Sequence, residues 1–502
     1  MQGQIDPVLG IYDPLLTTLA KMGYVRGQTL YAVGYDWRNS NRVSADLLDE
    51  KIGEQLSRVA ELPYVNHDGK VDLVVHSMGG LVSRAYIQGY GVDNENGDAP
   101  IAYDGDVRKV VFIASPHRGF PIDYRTREGL TWDDYLYEGN EGHLRTLMNE
   151  VLWPILIQKK YDPSCFFAPG LPDTCGADPY GWSHDPERGI QSLAEMLPTE
   201  DVPAYLCSSL GAEGCAPGAA YPYGHEVNPL LNDMNATVQD LADALGPENI
   251  YVIYGVQNDT DHWYEVTAPP PTGWAYGRPI TLDVGQDRDF ETNEGDDLIP
   301  VYSTNLKELL DSIPPENVKR LSDKPARHKQ IMYHTDTQSR YVPTFLTGQA
   351  ISFTTPYKRP PFLIHPGQWL VLTDLCPVNL TLTDPQGRRV GYDPATGGVL
   401  EEVPDALYTG PGVEGQFIIV PRAPAGDYQI TATGFDTGEY TLLVYRVDER
   451  GAWSQAIFTG TIALSQTVTH TLEGYVPAIF ADTFDRADST DLGPGWEEVA
   501  GE

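Results

Sequence analysis

A short apolar run that leads directly into a serine flanked by glycines constrains this chain most. The segment VDLVV at 71–75 is typical of a buried parallel strand. HSMGG follows at 76–80, and GGLVSRAYIQGY at 79–90 has the apolar spacing of a helix. A strand, a sharp turn and a helix in succession push the side chain at the turn out of the sheet plane. The sequence therefore predicts that Ser77 presents its hydroxyl to a substrate as a nucleophile.

Strands and helices alternate on both sides of this turn. Helical spacing is found at 11–22 and 41–60, and strand-like segments at 29–34, 109–115 and 249–255. Such alternation indicates a doubly wound α/β sheet. Together with the serine turn it predicts the α/β-hydrolase fold class, with a catalytic domain over residues 1–352.

Three regions depart from this alternation. Residues from about 120 to 245 are rich in Pro, Gly, Trp and Tyr and too long for a simple connection, so they predict an inserted cap or lid. Short alternating segments separated by Pro/Gly turns predict an all-β sandwich over 353–475. Residues 476–502 resemble the start of a further β domain that is truncated.

Charge and hydropathy exclude several classes of partner. Acidic residues outnumber basic ones 71 to 34, giving a net charge of -37. This excess argues against nucleic-acid binding and against electrostatic docking on anionic membranes. No apolar run approaches the ~18 residues of a membrane-spanning helix. The first residues, MQGQIDPVLG, contain no secretion signal.

The cysteines predict an oxidising compartment. Cys165 and Cys175 are close together in a Pro/Gly-rich stretch, as are Cys207 and Cys215. Two short-range pairs in loop-like sequence predict two disulfides. Cys376 is in a strand-like segment and is expected to be a small buried side chain. We expect no metal or redox cofactor, since zinc-type Cys/His spacing and a phosphate-binding glycine loop are both lacking.

The residues around the serine have predicted roles of their own. Gly79 and Gly80 should let the helix pack closely on the strand. The backbone N–H of Met78 would point at the oxyanion that develops during acyl transfer. Val75 occupies the position, two residues before the serine, where this turn usually has glycine.

The acid and the base must follow the serine, since this fold orders its triad as serine, acid, histidine. We prefer Asp296, in the tight loop GDDLIP at 295–300, as the acid, while Asp259 and Asp261 remain alternatives. For the base we prefer His328, which follows the polar loop SDKPAR. His334 is expected on a helix surface.

Several motifs in order resemble the lecithin:cholesterol acyltransferase-like lipases over roughly residues 8–350. They are YDWR at 35–38, HSMGG, the GDDLIP loop, SPHRGFP at 115–121 and SLAEMLP at 192–198. The resemblance implies a triad of Ser77, Asp296 and His328, and a lid over a hydrophobic acyl site. It also places Trp37 near the acyl pocket, with core packing as the alternative, and we assign His76 to substrate binding as well.

The predicted function is hydrolysis or transfer of acyl groups of lipid esters through an acyl-enzyme. The alternatives are a general esterase or peptidase on the same fold, and a non-catalytic surface protein with a vestigial hydrolase domain. Since the sequence opens beyond the family's Gly-rich first strand, we predict that Met1 is not the biological start and that a secretion signal precedes it. The protein would then be extracellular or on the cell surface, with the β-sandwich as a spacer or a contact to cell wall or glycan.

Overall fold

The computed structural model describes four main stretches of the chain. These are residues 11–127, 189–267, 289–350 and 369–474, with residues 184 and 276 in addition. The stretches exclude residues 66, 93–101, 203, 212–213, 323–325, 376, 405, 409, 412–415 and 448–452.

The α-helices of the described residues belong to the first 350 positions. They are α1 (Asp13–Lys21), α2 (Asn41–Ala60), α3 (Gly79–Ile87), α4 (Ile122–Arg127), α5 (Gln191–Ala194), α6 (Pro229–Ala236), α7 (Val238–Leu245), α8 (Val301–Thr304) and α9 (Val342–Thr347).

The strands fall into an N-terminal and a C-terminal group. The first group is β1 (Val71–His76), β2 (Val107–Ile113), β3 (Leu206–Cys207), β4 (Leu210–Gly211), β5 (Gly214–Cys215), β6 (Ile250–Gly255), β7 (Asn258–Glu265), β8 (Asp289–Gly295) and β9 (Val318–Leu321). The second group is β10 (Trp369–Leu375), β11 (Val378–Thr383), β12 (Arg389–Tyr392), β13 (Val399–Glu401), β14 (Leu407–Tyr408), β15 (Phe417–Val420), β16 (Tyr428–Gly434), β17 (Gly438–Val447), β18 (Trp453–Ile462) and β19 (Thr467–Leu472).

A parallel sheet organises the N-terminal part, which confirms the prediction of a mixed α/β structure. Its strand order is β1-β2-β6-β9, and every neighbouring pair is parallel. All four strands therefore end at the same edge of the sheet. Ligand sites of open α/β sheets form at this carboxyl edge.

Helices cover both faces of the parallel sheet because its strands alternate their apolar side chains between the two faces. Val110 and Phe112 of β2 belong to one buried cluster with residues of α2, α3 and α7. Val111 and Ile113 belong to a second cluster, with residues of α1 and α9. Burial on both faces explains why the second half of β2, residues 110–113, is apolar throughout.

The prediction of a strand over 29–34 is wrong. Residues 25–30 form a tight turn, in which the N–H groups of Gln28, Thr29 and Leu30 all donate to the Val25 carbonyl, and residues 31–34 have no regular secondary structure. In the described residues only an isolated bridge between Arg26 and Leu30 is present, and no ladder reaches β1. Apolar residues alone do not make a strand when no neighbour supplies the pairing groups.

Two helices of the predicted insertion contribute side chains to the main apolar core. Helices α6 and α7 supply Leu231, Met234 and Leu241 to the same cluster as α3. Strand β3 pairs with β7, which in turn pairs with β8, so a small sheet extends beyond residue 245. The boundaries proposed from the sequence, at 120–245 and 352/353, remain predictions.

One of the two predicted disulfides is present. Cys207 and Cys215 are bonded, with their Cα atoms 5.1 Å apart. Their bond joins β3 to the short hairpin of β4 and β5. Cys165, Cys175 and Cys376 lie outside the described residues.

A single glutamate attaches the SLAEMLP segment to helix α2. One oxygen of Glu195 accepts from the Ser40 hydroxyl, and the other accepts from the Asn41 backbone N–H at 2.6 Å and from the Asn41 side-chain amide at 2.9 Å. Ser40 is the N-cap of α2, where backbone N–H groups have no partner within the helix. A carboxylate there satisfies those groups and complements the helix dipole.

The C-terminal strands form two antiparallel five-stranded sheets. Their orders are β14-β15-β10-β17-β18 and β13-β12-β11-β16-β19. Leu372 of the first sheet and Leu380 of the second belong to one buried apolar cluster. Residues 476–502, predicted to begin a further domain, lie outside the described residues. No helix in the described part of the chain is long and apolar enough to cross a bilayer.

Candidate active site

Ser77 sits at a strained turn directly after β1. Its φ is +53°, in the left-handed region that side-chain-bearing residues rarely adopt. The backbone is held there by two hydrogen bonds of 3.0 Å, from Ser77 N–H to the Ile113 carbonyl and from Gly80 N–H to the Ser77 carbonyl. This is the strand–turn–helix geometry that exposes a nucleophile.

The two glycines after the serine differ in how much they are needed. A Cβ at Gly80 would lie 2.1 Å from Ser115 Oγ and 3.1 Å from Phe112, which leaves no room for it. A Cβ at Gly79 would meet only ordinary contacts, at 3.8 Å from Tyr35 and Val75. Gly80 therefore provides the close approach of α3 to β2, and Val75 is accommodated beside Gly79.

This asymmetry predicts opposite stability effects for two neighbouring substitutions. Gly80→Ala should lower the free energy of unfolding by about 1–3 kcal/mol, since it overpacks a fixed serine side chain. Gly79→Ala should be neutral or stabilising by up to about 1 kcal/mol, because alanine favours a helix. Urea unfolding of both variants measures the difference. Equal destabilisation by the two would contradict the packing described here.

The loop after β8 holds Asp296 fully buried. Asp296 Oδ1 accepts from the backbone N–H groups of Leu298 at 3.2 Å and Ile299 at 2.8 Å. Its other oxygen, Oδ2, lies 2.9 Å from His328 Nδ1. The loop therefore fixes one carboxylate oxygen and leaves the second to the imidazole.

His328 connects Asp296 to Ser77. The Nε2 atom of His328 lies 2.9 Å from Ser77 Oγ, and its side chain is only 7% exposed. The tautomer that suits both contacts has the proton on Nδ1, donated to Asp296, and leaves Nε2 to accept the serine proton. The three residues preferred from the sequence thus meet at the carboxyl edge of the sheet.

The alternative candidates lie elsewhere. Asp261 is buried and accepts from the Tyr264 hydroxyl at 2.6 Å. His334 is buried too, so its predicted place on a helix surface is wrong: it follows the short helical segment Gln330–Tyr333, and its Nδ1 accepts from Asp336 N–H. The side chain of Asp259 is outside the described residues.

His76 engages other parts of the protein with both ring nitrogens. Its Nε2 lies 3.1 Å from the His328 carbonyl oxygen, and its Nδ1 lies 3.0 Å from the Tyr12 hydroxyl. Burial, together with the nearby His328, lowers the pKa of His76 to about 3, so its ring is neutral. These contacts direct His76 toward the base, whereas the sequence suggested that it binds substrate.

Asp297 is the residue that sequence reasoning missed. It has a φ of +77°, and its Oδ1 accepts from the backbone N–H of His328 at 3.0 Å. Its backbone N–H donates to Thr260 Oγ1 at 3.0 Å, which holds the strained turn. The signal available in the sequence was its position directly after Asp296 in the short loop GDDLIP.

The environment of Asp297 predicts a pH dependence of stability. Desolvation, and then the charge of Asp296, raise the pKa of Asp297 to about 7 from 3.8, against the opposing effects of His328 and Lys329. Arg327 is also near, at 3.8 Å from Oδ2. The folded protein then holds this proton more tightly than the unfolded chain does. The contribution of Asp297 to the free energy of unfolding is therefore most favourable below pH 4 and is lost as pH rises to about 7.

Asp297→Asn should remove this pH dependence. The free energy of unfolding of wild type, relative to that of the variant, should fall as pH rises between about 4 and 7. It should stay level outside that range. Urea unfolding at pH 4.5, 6 and 7.5 measures it. A difference that moves the opposite way would show that the carboxyl is not destabilised in the folded state.

Met78 lies beside the nucleophile, and Trp37 packs against the core. Met78 is the N-cap of α3, next to the nucleophile, and its backbone N–H has no acceptor among the described residues. Trp37 is partly buried and packs against the main apolar cluster. Their roles with an acyl substrate remain predictions. No group of three or more metal-ligating side chains occurs in the part of the chain described by the structure.

The parallel sheet and the chain of contacts from Asp296 through His328 to Ser77 have the geometry used by serine hydrolases. Comparison with known proteins agrees with this class. Residues 2–125 match the family model of lecithin:cholesterol acyltransferase. The resemblance seen in the sequence is thereby confirmed: the chain is related to lecithin:cholesterol acyltransferase-like lipases.

Two curated relatives come from Arabidopsis thaliana. Phospholipase A(1) LCAT3 is 32% identical over 111 residues, which cover 22% of this chain and 22% of the relative. Lecithin-cholesterol acyltransferase-like 4 is 27% identical over 265 residues, which cover 50% of this chain and 45% of the relative. The chain therefore spans less than half the length of each of these relatives.

Solved structures give weaker similarities. The Tle4–Tli4 complex matches with a TM-score of 0.32 and 16% identity, covering 62% of this chain and 66% of that one. Phospholipase PlaB from Legionella pneumophila in complex with thio-NAD matches with a TM-score of 0.31 and 11% identity, covering 94% and 89%. Scores of this size do not define a common fold.

Proposed function

We propose that this protein is a serine hydrolase of the α/β-hydrolase fold that cleaves or transfers the acyl groups of lipid esters. The observation that carries the proposal is the unbroken chain from Asp296 Oδ2 to His328 Nδ1 and from His328 Nε2 to Ser77 Oγ, with 2.9 Å at each step. The strained backbone of Ser77 supports it independently, because such strain persists where the surrounding structure enforces it.

In the first half of the proposed reaction, His328 Nε2 takes the proton of the Ser77 hydroxyl while Oγ attacks the ester carbonyl carbon. The resulting oxyanion accepts a hydrogen bond from Met78 N–H. When the ester C–O bond breaks, the proton passes from His328 to the leaving alcohol, and the acyl group stays on Ser77. Asp296 holds the imidazole in the required tautomer and stabilises its charged form.

In the second half, His328 takes a proton from water or from a lipid alcohol, whose oxygen attacks the acyl-enzyme carbonyl. Collapse of this intermediate releases a fatty acid or a new ester, and the proton returns to Ser77. Both half-reactions are balanced without a metal or a redox cofactor. Water as the acceptor gives lipase or phospholipase activity, and an alcohol gives acyltransferase activity.

The lipid class of the substrate rests on the relatives. Their names describe a phospholipase A(1) and a lecithin-cholesterol acyltransferase-like protein. Sequence similarity to these two proteins supports a lipid substrate. We extend it to glycerolipid or phospholipid esters bound under a cap, with Trp37 beside the acyl chain. The C-terminal antiparallel sheets would form a β-sandwich, and the predicted extracellular or cell-surface location would suit the Cys207–Cys215 disulfide.

The test is release of fatty acid from a mixed lipid extract by the full-length gene product. Liquid chromatography with mass spectrometry identifies the acids and any new esters, with added alcohols as competing acceptors. A series of acyl esters of increasing chain length separates a lipid enzyme from a small-ester esterase. Turnover of short esters or peptides alone would overturn the lipid assignment, and no turnover of any ester would favour a non-catalytic protein.

A further inference from the structure

The backbone of His328 is held at both of its hydrogen-bonding groups by side chains outside the proposed triad. Its N–H donates to Asp297 Oδ1 at 3.0 Å and to the Asp296 carbonyl at 2.6 Å. Its C=O accepts from His76 Nε2 at 3.1 Å. Because side chains hold both groups, these contacts restrict how far the histidine can move.

The contact with His76 depends on which nitrogen of that ring carries the proton. To donate to the His328 carbonyl, Nε2 must be protonated, and Nδ1 of the neutral ring must then accept. Tyr12 meets this requirement, since its hydroxyl lies 3.0 Å from Nδ1 and can donate. Tyr12 therefore selects the tautomer of His76 in the way that a second hydrogen bond normally selects it.

The neutral state of His76 also matters to the proposed base. The rings of His76 and His328 have centroids 4.8 Å apart, so a positive charge on both would be repulsive. Burial keeps His76 uncharged, and the imidazolium that forms on His328 during catalysis then has no cationic neighbour in that ring.

The strained backbone of Asp297 places its carboxyl group against the N–H of His328. Its φ of +77° would suit glycine better, yet the residue is an aspartate whose side chain reaches the His328 N–H. A glycine here would relieve strain but would offer no side-chain acceptor, so the His328 N–H would keep only the Asp296 carbonyl. Retaining a side chain in an unfavourable backbone conformation points to a role for the carboxyl.

We propose that Asp297 and His76 are positioning residues, which hold the backbone of His328 from its two sides so that its imidazole stays within reach of Ser77. Tyr12 acts through His76. The inference rests on the proposed function, because it assigns a purpose to the placement of the base. It concerns residues other than the three of the proposed triad.

The experiment measures the rate constant for labelling of Ser77 by a fluorophosphonate, which reports activation of the serine without any lipid. Asp297→Gly should label about 10-fold more slowly than wild type, since small displacements of a catalytic group reduce rates by up to ~100-fold. Asp297→Asn keeps an oxygen acceptor and tolerates positive φ, so it should stay within about 3-fold of wild type. Thermal unfolding of the same samples should show no loss of stability in Asp297→Gly.

His76 supplies a second, independent pair. His76→Leu removes the donor and should slow labelling by about 10- to 100-fold, while His76→Gln restores an N–H donor and should recover most of the rate. Should His76→Leu fail to fold, Tyr12→Phe replaces it, with an expected loss of about 5-fold because the ring loses its tautomer partner.

The outcomes separate the two proposals. Labelling of wild type but not of Ser77→Ala, with Asp297→Gly and Tyr12→Phe as fast as wild type, would overturn the positioning role and leave the serine hydrolase intact. Slow labelling of Asp297→Gly together with slow labelling of Asp297→Asn would assign the effect to charge and would also overturn it. Failure of wild type itself to label would remove both proposals.

Discussion

Ser77→Ala is expected to abolish ester cleavage by this protein, with a loss of about 10⁴- to 10⁶-fold in kcat. The alanine removes the only atom of the turn that can form the acyl-enzyme, while the strained backbone at φ +53° remains. Fatty-acid release and covalent labelling should disappear together. The measurement is titration of active sites by a fluorophosphonate, followed by turnover of a long-chain ester.

Ser83 provides the matched control. It is a buried serine on α3, six residues beyond the nucleophile, and its hydroxyl donates to the Gly79 carbonyl at 2.9 Å. Ser83→Ala should lower stability by about 1 kcal/mol, the usual contribution of one hydrogen bond, and keep the activity. Activity that survives in Ser77→Ala, or that vanishes equally in both variants, would show that the nucleophile has been misassigned.

The second large effect is expected from Asp296→Asn. The amide can present an N–H toward His328 Nδ1, which would favour the tautomer with the proton on Nε2 and prevent that atom from accepting the serine proton. In serine hydrolases this change lowers kcat about 10⁴-fold. The N–H groups of Leu298 and Ile299 donate to Asp296 Oδ1, so the asparagine should keep its oxygen at this position and its NH2 group toward His328.

The neighbouring carboxyl is the control for Asp296→Asn. Asp297→Asn replaces the second carboxyl of the same loop but leaves the Asp296–His328 contact in place. It should keep kcat within a few-fold, because the side-chain oxygen of asparagine can still accept from the His328 N–H. Comparable losses of kcat in the two variants would mean that loop charge, and not tautomer control, supports the reaction.

The nucleophile was predictable because its signal is local. Strand, serine turn and helix all lie within residues 71–90, and their apolar patterns are unambiguous. The acid and base could be ranked by chain order and family resemblance, since both stand in short polar loops after late strands. Helix α2 was likewise predictable, as its apolar spacing over 41–60 matches Asn41–Ala60.

Other features depend on contacts that no local pattern specifies. The pairing of His76 with the His328 carbonyl joins residues 252 positions apart, and the role of Asp297 follows from where its loop meets that histidine. The segment 29–34 has strand-like composition, but none of the strands among the described residues pairs with it. The need for glycine at Gly80 arises from Ser115, which the fold brings alongside.

The attachment of Glu195 to the first turn of α2 has a consequence for protein engineering. Replacing the predicted cap over 120–245 with that of a relative would also replace Glu195, which caps the first turn of a core helix. Foreign sequence that replaces Glu195 with a residue lacking a carboxylate would leave the Asn41 N–H without its acceptor. A chimera should therefore keep the native segment 190–198 and accept foreign sequence only upstream of it.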